Sequence, residues 1–273
     1  TSGEGNENTI FSGLISGTGG LVKNGTGTLE LSGANTYSGK TTVSAGVLKL
    51  LAATGSIQST EINVAEGATY EIDLPAAADQ TTYNGMISGS GKFKKSGLGE
   101  LTLNGENTYT GETAITGGTL RVGTDSSSTG TLASGTDVDI SSGATLELLN
   151  HETVASIKGS GDINLNSFNL TSGEGNENTI FSGLISGTGG LVKNGAGTLE
   201  LSGANTYTGT TQLQKGTLRL TGSAASNVNS SIQKTSSDLA SLSVDTISDV
   251  SIDADIVSTG SNLDVEVKAA GKI

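Results

Sequence analysis

One stretch of sequence occurs three times along the chain, and this repetition restricts the fold more than any other feature. Its copies begin at Gly25, Gly97 and Gly195 and read GTGTLELSGANTYSGKTTVSAGVLKL, GLGELTLNGENTYTGETAITGGTLRV and GAGTLELSGANTYTGTTQLQKGTLRL. In each copy, apolar and polar residues alternate, a G-x-N-T-Y-[ST]-G segment follows, and two further short alternating segments complete the pattern. Short alternating segments separated by turn residues at a fixed spacing are typical of the coils of a β-solenoid.

A longer frame surrounds each copy of this motif. The resulting modules cover residues 11–50, 83–122 and 181–220, and each is expected to form two coils of roughly 20 residues. Residues 1–39 recur as residues 171–209 with differences only at positions 26 and 38 of the first block. The sequence therefore predicts a repetitive β-helix over residues 1–222. Residues 223–273 lose the motif but resume alternation, so we expect a less regular and truncated continuation of the β-helix there.

Alternation predicts which side chains fill the core. Leu, Ile, Val and Ala are expected to face inwards, and Thr, Ser, Lys, Glu and Asn to face outwards. Leu29, Leu101 and Leu199 hold equivalent inward positions, and equivalent residues of the modules are expected to stack. No segment has a helical stripe with caps. We therefore expect roughly a dozen rungs, which at about 4.8 Å each would form a rod on the order of 60 Å long.

The N-T-Y segment supplies the repeat positions that we predict to be structural sites. We place its asparagine in the tightest turn of the coil, where Asn tolerates the left-handed backbone region and hydrogen-bonds its own backbone. The tyrosines, together with the aromatic residues at positions 11, 83 and 181, are predicted to stack between rungs. The six repeat positions are Asn35, Tyr37, Asn107, Tyr109, Asn205 and Tyr207.

Composition excludes several classes of function. The chain carries 14 basic and 27 acidic residues, and its net charge is −13. Its lysines and two arginines are scattered and form no basic stripe, so nucleic acid is not an expected partner. The absence of cysteine excludes disulfides and thiol chemistry. No apolar run approaches the roughly 20 residues of a membrane span, so we expect no membrane insertion by this chain.

Few residues could support chemistry. His151 is the only histidine, so a Ser–His–Asp triad or a histidine metal site would depend on it. It follows a predicted rung in a turn-like stretch, which indicates a solvated loop residue. Arg121 and Arg219 share a repeat position with Lys49, which indicates a structural role. The sequence thus predicts no catalytic residue, no cofactor-binding or metal site, and no cofactor.

The acidic residues leave one alternative open. Asp249, Asp253 and Asp255 alternate along a predicted strand, as Asp137 and Asp139 do. Such a row of carboxylates could bind calcium or serve as the acidic centre for polysaccharide cleavage. An incidental acidic face is the simpler interpretation, because outward carboxylates on a strand are solvated and do not converge.

At G-x-L-x-L-x-G-x-N-T-Y-[ST]-G-x-T the chain resembles the autotransporter-associated β-strand repeat. This repeat occurs in the secreted passenger regions of Gram-negative type V autotransporters. The resemblance covers the three modules, roughly half of the chain. It implies an all-β, right-handed parallel β-helix (β-solenoid) that is secreted or displayed at the Gram-negative outer membrane, with its targeting parts outside this chain. It implies no catalytic residues.

Three functions are consistent with these observations. The leading hypothesis is a non-catalytic adhesin and rigid stalk that presents a binding surface to a host or bacterial surface protein or glycan, with self-association as a further option. The second is a polysaccharide-acting β-helix enzyme whose acidic site lies at residues 249–255. The third is a structural spacer without a binding role of its own.

Overall fold

The structure is a computed structural model and describes residues 6–123, 130–222, 232–234, 240–246, 256–258 and 263–269. It divides into two units, residues 1–136 and residues 137–273. The described residues contain β-strands and no helix, and every strand pair is parallel. Within each unit the described strands stack as the coils of a β-solenoid. The predicted class, an all-β parallel β-helix, is confirmed.

The first unit contains thirteen named strands. They are β1 (Thr9–Phe11), β2 (Leu21–Lys23), β3 (Thr28–Leu31), β4 (Thr41–Val43), β5 (Val47–Leu51), β6 (Glu61–Val64), β7 (Thr69–Asp73), β8 (Gln80–Tyr83), β9 (Met86–Gly89), β10 (Lys92–Ser96), β11 (Glu100–Leu103), β12 (Thr113–Ile115) and β13 (Gly118–Val122). They form three sheets with the orders β1-β3-β5-β7-β10-β12, β2-β4-β6-β9 and β8-β11-β13. We call these sheets 1, 2 and 3 of the first unit.

The second unit repeats this three-sheet arrangement. Its strands are β14 (Asp137–Ile140), β15 (Ala144–Leu148), β16 (Glu152–Val154), β17 (Ser156–Gly159), β18 (Asp162–Asn164), β19 (Leu170–Ser172), β20 (Thr179–Phe181), β21 (Ile185–Ser186), β22 (Leu191–Lys193), β23 (Thr198–Leu201), β24 (Thr211–Leu213), β25 (Gly216–Gly222), β26 (Ile232–Lys234), β27 (Ala240–Thr246), β28 (Ile256–Ser258) and β29 (Leu263–Ala269). The sheet orders are β14-β17-β20-β23-β25-β27-β29, β15-β18-β21 and β16-β19-β22-β24-β26-β28.

The register of the strands gives the length of one coil. Thr9 pairs with Leu29, Leu29 with Leu48, Leu48 with Tyr70, and Tyr70 with Phe93. Successive coils therefore repeat every 19 to 23 residues. This length agrees with the prediction of two coils in each module. Side chains alternate between core and surface along each strand. The inward Leu, Ile, Val and aromatic side chains therefore fill the interior of each coil.

The second module lies on different sheets from the first. Strands β2 and β3 of the first module belong to sheets 2 and 1, whereas their counterparts β10 and β11 belong to sheets 1 and 3. Equivalent residues of these modules are 72 positions apart, which is not a whole number of 20-residue coils. Leu29 and Leu101 are therefore both buried but lie on different sheets. The expectation that equivalent residues of these two modules stack in one column is wrong.

The proposed boundary between residues 1–222 and 223–273 stays a prediction. In the second segment the structure describes β26, β27, β28 and β29, each of which pairs in parallel with an earlier strand. The acidic residues Asp249, Asp253 and Asp255 lie outside the described residues.

Candidate functional site

The asparagines of the three N-T-Y segments join successive coils. Oδ1 of Asn35, Asn107 and Asn205 accepts a hydrogen bond from the backbone N–H of the isoleucine 20 residues earlier, at 2.9 Å in every copy. The side-chain amide of Asn35 also donates to the carbonyl of Gly33 at 2.8 Å, and that of Asn107 to Gly105 at 3.1 Å. Each buried asparagine therefore satisfies backbone groups where the strand ladder is interrupted.

The N-T-Y segment follows a short turn, in which the Asn35 N–H donates to the carbonyl of Gly33 at 2.9 Å, and then runs along the preceding coil. In the first copy the N–H of Thr36 donates to the carbonyl of Ile15 at 2.9 Å, and that of Ser38 donates to Gly17 at 3.0 Å. Among the described non-glycine residues, only two have positive φ, and neither belongs to an N-T-Y segment. The predicted left-handed backbone at Asn35, Asn107 and Asn205 is wrong, because hydrogen bonds to the preceding coil hold this backbone extended.

The tyrosines of the same segments are fully buried. The hydroxyls of Tyr37, Tyr109 and Tyr207 each share a hydrogen bond with the hydroxyl of the threonine four residues later, at 2.7, 2.6 and 2.6 Å. Burial raises the pKa of Tyr207 to about 12, against the opposing effect of its hydrogen bond to Thr211. The ring of each tyrosine thus packs inside its coil, and its hydroxyl bonds to the first residue of the following strand.

An aromatic stack occupies the core of the first unit. Ring centroids are 6.3 Å apart for Tyr83 and Tyr70, 6.1 Å for Tyr70 and Phe93, and 6.0 Å for Phe93 and Tyr109. The sequence predicted stacking for Tyr83 and Tyr109 but not the part taken by Tyr70 and Phe93. The hydroxyl of Tyr70 is buried and has no hydrogen-bond partner among the described residues.

Three lysines at one repeat position face the core, as does Lys234, against the prediction that lysines face outwards. Lys23, Lys95 and Lys193 occupy equivalent positions in the three modules and are at most 1 % exposed. The Nζ of Lys95 donates to three backbone carbonyls, of Ser96 at 2.8 Å and of Gly97 and Gly117 at 3.0 Å each. A buried ammonium group requires such acceptors, because an unpaired charge in the core is strongly unfavourable.

The other two lysines have the same type of cage. Lys193 donates to the carbonyls of Asn194 at 2.5 Å, Gly195 at 2.8 Å and Lys215 at 3.1 Å. Lys23 donates to the carbonyls of Gly25 and Ala45.

The glycine two residues after Lys95 and after Lys193 allows the backbone to form this cage. Gly97 and Gly195 have φ of 73° and 70°. A Cβ on Gly195 would lie 1.6 Å from the carbonyl oxygen of Gly173. A side chain is therefore excluded at this corner.

Burial affects the protonation of the caged lysines. Desolvation lowers the pKa of Lys95 to about 8, against a small opposing effect of the Asp73 carboxylate, and lowers the pKa of Lys193 to about 8. The sequence signal that could have revealed these residues is a lysine repeated before [NS]-G at a position where alternation predicts an inward side chain.

The outward face of sheet 1 in the first unit carries paired charges. Glu30, Lys49, Glu71 and Lys94 occupy neighbouring strands in register. Lys49 lies 3.3 Å from Glu30 and 2.8 Å from Asp73, and Lys94 lies 3.1 Å from Glu71. These ion pairs join neighbouring coils.

The two arginines have the structural role that their repeat position predicted. Arg121 contacts Glu100 at 3.1 Å, and Arg219 contacts Glu200 at 2.9 Å. Each ion pair joins neighbouring strands of one sheet, β11 to β13 and β23 to β25.

Among the residues considered for chemistry, those that the structure describes do not converge on a common site. His151 is exposed in the loop before β16, where its Nδ1 accepts a hydrogen bond from the Asn169 N–H at 2.9 Å. Asp137 accepts a hydrogen bond from the Ser156 hydroxyl at 2.6 Å, and Asp139 lies 3.7 Å from Lys158.

The described residues contain no group of three or more His, Asp or Glu side chains arranged to hold a metal ion. Within the same residues, no helix has the length and apolar character needed to cross a membrane.

Comparison with known families identifies the modules. The passenger-associated-transport-repeat family matches residues 21–50, 93–122 and 191–220, and each matched segment contains one N-T-Y segment and one inward lysine. These three segments are similar to passenger-associated-transport repeats. The suspected resemblance to the repeat region of autotransporter passengers is confirmed. Each repeat begins at the strand that carries the caged lysine, or within it, and ends with the apolar strand after the N-T-Y segment.

Curated relatives match parts of this chain. An adhesin autotransporter, BmaC of Brucella suis, is 35 % identical over 161 residues, which cover 56 % of this chain and 5 % of the adhesin. Two extracellular serine proteases of Serratia marcescens are 61 % and 57 % identical over 44 residues, which cover 16 % of this chain and 4 % of each protease. The chain thus spans about one-twentieth of the length of these relatives. No solved structure matches the chain significantly.

The repeat family and these relatives confirm the predicted localisation. Passengers with these repeats are secreted or displayed at the surface of Gram-negative bacteria.

Proposed function

We propose that this chain is a non-catalytic passenger segment that serves as an adhesin and rigid stalk and presents a binding surface outside the cell. The observation that supports this most is the extent of the adhesin match, which covers 56 % of the chain. The protease matches cover only 44 residues, about the length of one module. The expected partner is a host or bacterial surface protein or glycan.

The exposed edge of the N-T-Y segments is the surface that we propose for binding. Asn and Tyr point inwards, so the alternate residues of this extended segment face solvent. Most of these carry hydroxyls, which donate and accept hydrogen bonds without the salt sensitivity of ion pairs. We call these residues the hydroxyl ridges; they are Thr36, Ser38, Thr108, Thr110, Thr206 and Thr208.

The hydroxyl ridges are better suited to binding than the charged outward face of sheet 1 in the first unit. The charges of sheet 1 pair with one another, and a ligand would have to break those ion pairs to bind there. The ridge hydroxyls are exposed and can bind a polar ligand without disrupting the coil. A polar ligand with many hydrogen-bonding groups, such as a glycan, fits this chemistry.

A binding array tests the proposal. The folded chain is applied to immobilised glycans and matrix proteins, beside a urea-unfolded sample as a control for nonspecific attachment. We expect saturable binding that requires the folded chain and decreases when ridge hydroxyls are removed, as in Thr108→Val combined with Thr110→Val. Thr102→Val, on the outward face of β11, is the matched control and should leave binding unchanged. If the folded chain binds none of the immobilised partners, the adhesin role is contradicted and the structural-spacer hypothesis remains.

A further inference from the structure

Asn194 follows β22, and its side chain contacts the backbone of the next residue, Gly195. The N–H of Gly195 donates to Oδ1 of Asn194 at 2.8 Å. Since a carbonyl carbon lies about 1.2 Å behind its oxygen, the Gly195 nitrogen is within about 4 Å of Cγ of Asn194. This proximity brings a nucleophile and an electrophile of the same dipeptide close to reacting distance.

The neighbouring lysine acts on the same peptide group. The Lys193 ammonium donates to the backbone carbonyl of Asn194 at 2.5 Å. This is the carbonyl of the peptide bond whose nitrogen belongs to Gly195. A positive donor on that oxygen stabilises the negative charge that develops when the amide N–H loses its proton. The cage of Lys193 therefore makes the Gly195 nitrogen a better nucleophile as well as fixing its position.

We propose that Asn194 is a site of self-catalysed deamidation, with Lys193 as a positioning and activating residue. A solvent base takes the proton of the Gly195 N–H, and the nitrogen forms a bond to Cγ. The Cγ–Nδ2 bond then breaks, and Nδ2 leaves as ammonia after taking up a proton. Water opens the resulting succinimide at either carbonyl and gives aspartate or isoaspartate.

The modification would change the corner of the third repeat. Either product places a carboxylate beside the buried Lys193 ammonium, and isoaspartate also adds a methylene group to the backbone. The corner has little room for this, because Gly195 already approaches the carbonyl of Gly173 too closely for any side chain. Deamidation would therefore loosen this coil over time after folding.

The chain contains a matched control site. Asn24 is followed by Gly25 and preceded by the same LVK sequence as Asn194. The contacts of Asn24 are different, because the caged ammonium of Lys23 donates to the carbonyls of Gly25 and Ala45 and not to that of Asn24. Asn24 is also exposed, whereas Asn194 is half-buried. Sequence alone therefore predicts equal rates at the two sites, and the folded structure predicts unequal rates.

The test compares the two rates within one sample. The whole chain is incubated at neutral to mildly alkaline pH, and deamidation is followed by mass spectrometry of peptides, which differ in mass because residues 26 and 196 differ. We expect Asn194 to react at least about tenfold faster than Asn24 in the folded chain. In urea the ratio of the Asn194 rate to the Asn24 rate should fall to about one. A ratio at or below one in the folded chain would overturn the proposal.

Discussion

The buried hydroxyl of Tyr70 leads to a prediction that is opposite in sign to the usual effect of a core substitution. Tyr70 lies within the aromatic stack, between Tyr83 and Phe93, and is fully buried. Its hydroxyl has no hydrogen-bond partner among the described residues. An unsatisfied buried hydroxyl loses its bonds to water without replacement, which costs about 1–3 kcal/mol. Tyr70→Phe removes that group and keeps the ring, so we expect stabilisation by about 1 kcal/mol or more.

Tyr37→Phe is the matched control in the same unit. Its hydroxyl shares a 2.7 Å hydrogen bond with the buried hydroxyl of Thr41. Removing the Tyr37 hydroxyl deprives Thr41 of that bond, so we expect a loss of about 1–3 kcal/mol. The two substitutions delete the same atom from the same residue type, and only the hydrogen bonding differs.

The assay must report local stability, because each coil of a solenoid contacts only its neighbours and the chain need not unfold in one step. Hydrogen exchange of the amides of β7 and β10 reports opening of the coils around Tyr70. We expect slower exchange there in Tyr70→Phe and faster exchange around β4 in Tyr37→Phe. Faster exchange around β7 in Tyr70→Phe would refute the reasoning, because it would mean that the hydroxyl makes a stabilising bond.

Three further predictions follow from the same structure. Leu103→Ala should reduce the free energy of local opening, measured by hydrogen exchange of the β11 amides, by about 2–5 kcal/mol, whereas the outward Thr102→Ala should change it by no more than about 0.5 kcal/mol; a loss near zero for Leu103→Ala would contradict its inward position. Asn107→Ala should cost at least about 1–3 kcal/mol, because the buried N–H of Ile87 loses its acceptor, and exchange at that amide should increase; unchanged exchange would contradict this. The pKa values of Lys95 and Lys193 are lowered from 10.5 to about 8, so the unfolded chain binds more protons between these values. The free energy of unfolding should therefore increase from about pH 8 to about pH 10, and this increase should be smaller in Lys95→Met; an equal increase would contradict the assignment.

The repeat pattern was sufficient to predict the fold class and the inward leucines. A solenoid coil has one polar and one apolar side on each strand, so alternation at Leu29, Leu101 and Leu199 marks the core directly. The position of the second module on different sheets from the first was harder to predict, because the coils between the modules differ in length. Thr28 and Val47 are 19 residues apart in register, whereas longer coils follow, and these differences accumulate.

The chemistry of the corners could not be read from residue types alone. A lysine is normally exposed, and its inward position at Lys95 depends on three backbone carbonyls that only the folded corner brings together. The asparagines were recognised as repeat positions, but local turn preference gave the wrong backbone for them. Their hydrogen bonds link residues 20 positions apart, and local propensity contains no information about such contacts.

The alternation of Lys94 and Lys95 provides the most direct test of the central claim, that the repeats are stacked coils with the register described here. Lys94 faces outwards beside Glu71, and its side chain is 35 % exposed, whereas Lys95 is fully buried in its carbonyl cage. A slip of one residue would exchange the two, because neighbouring side chains of a strand point to opposite faces. Brief amine labelling of the folded chain followed by mass spectrometry should modify Lys94 and leave Lys95 unmodified, with equal labelling of both in urea. Preferential labelling of Lys95, or equal labelling in the folded chain, would contradict the register and the inward lysine cages.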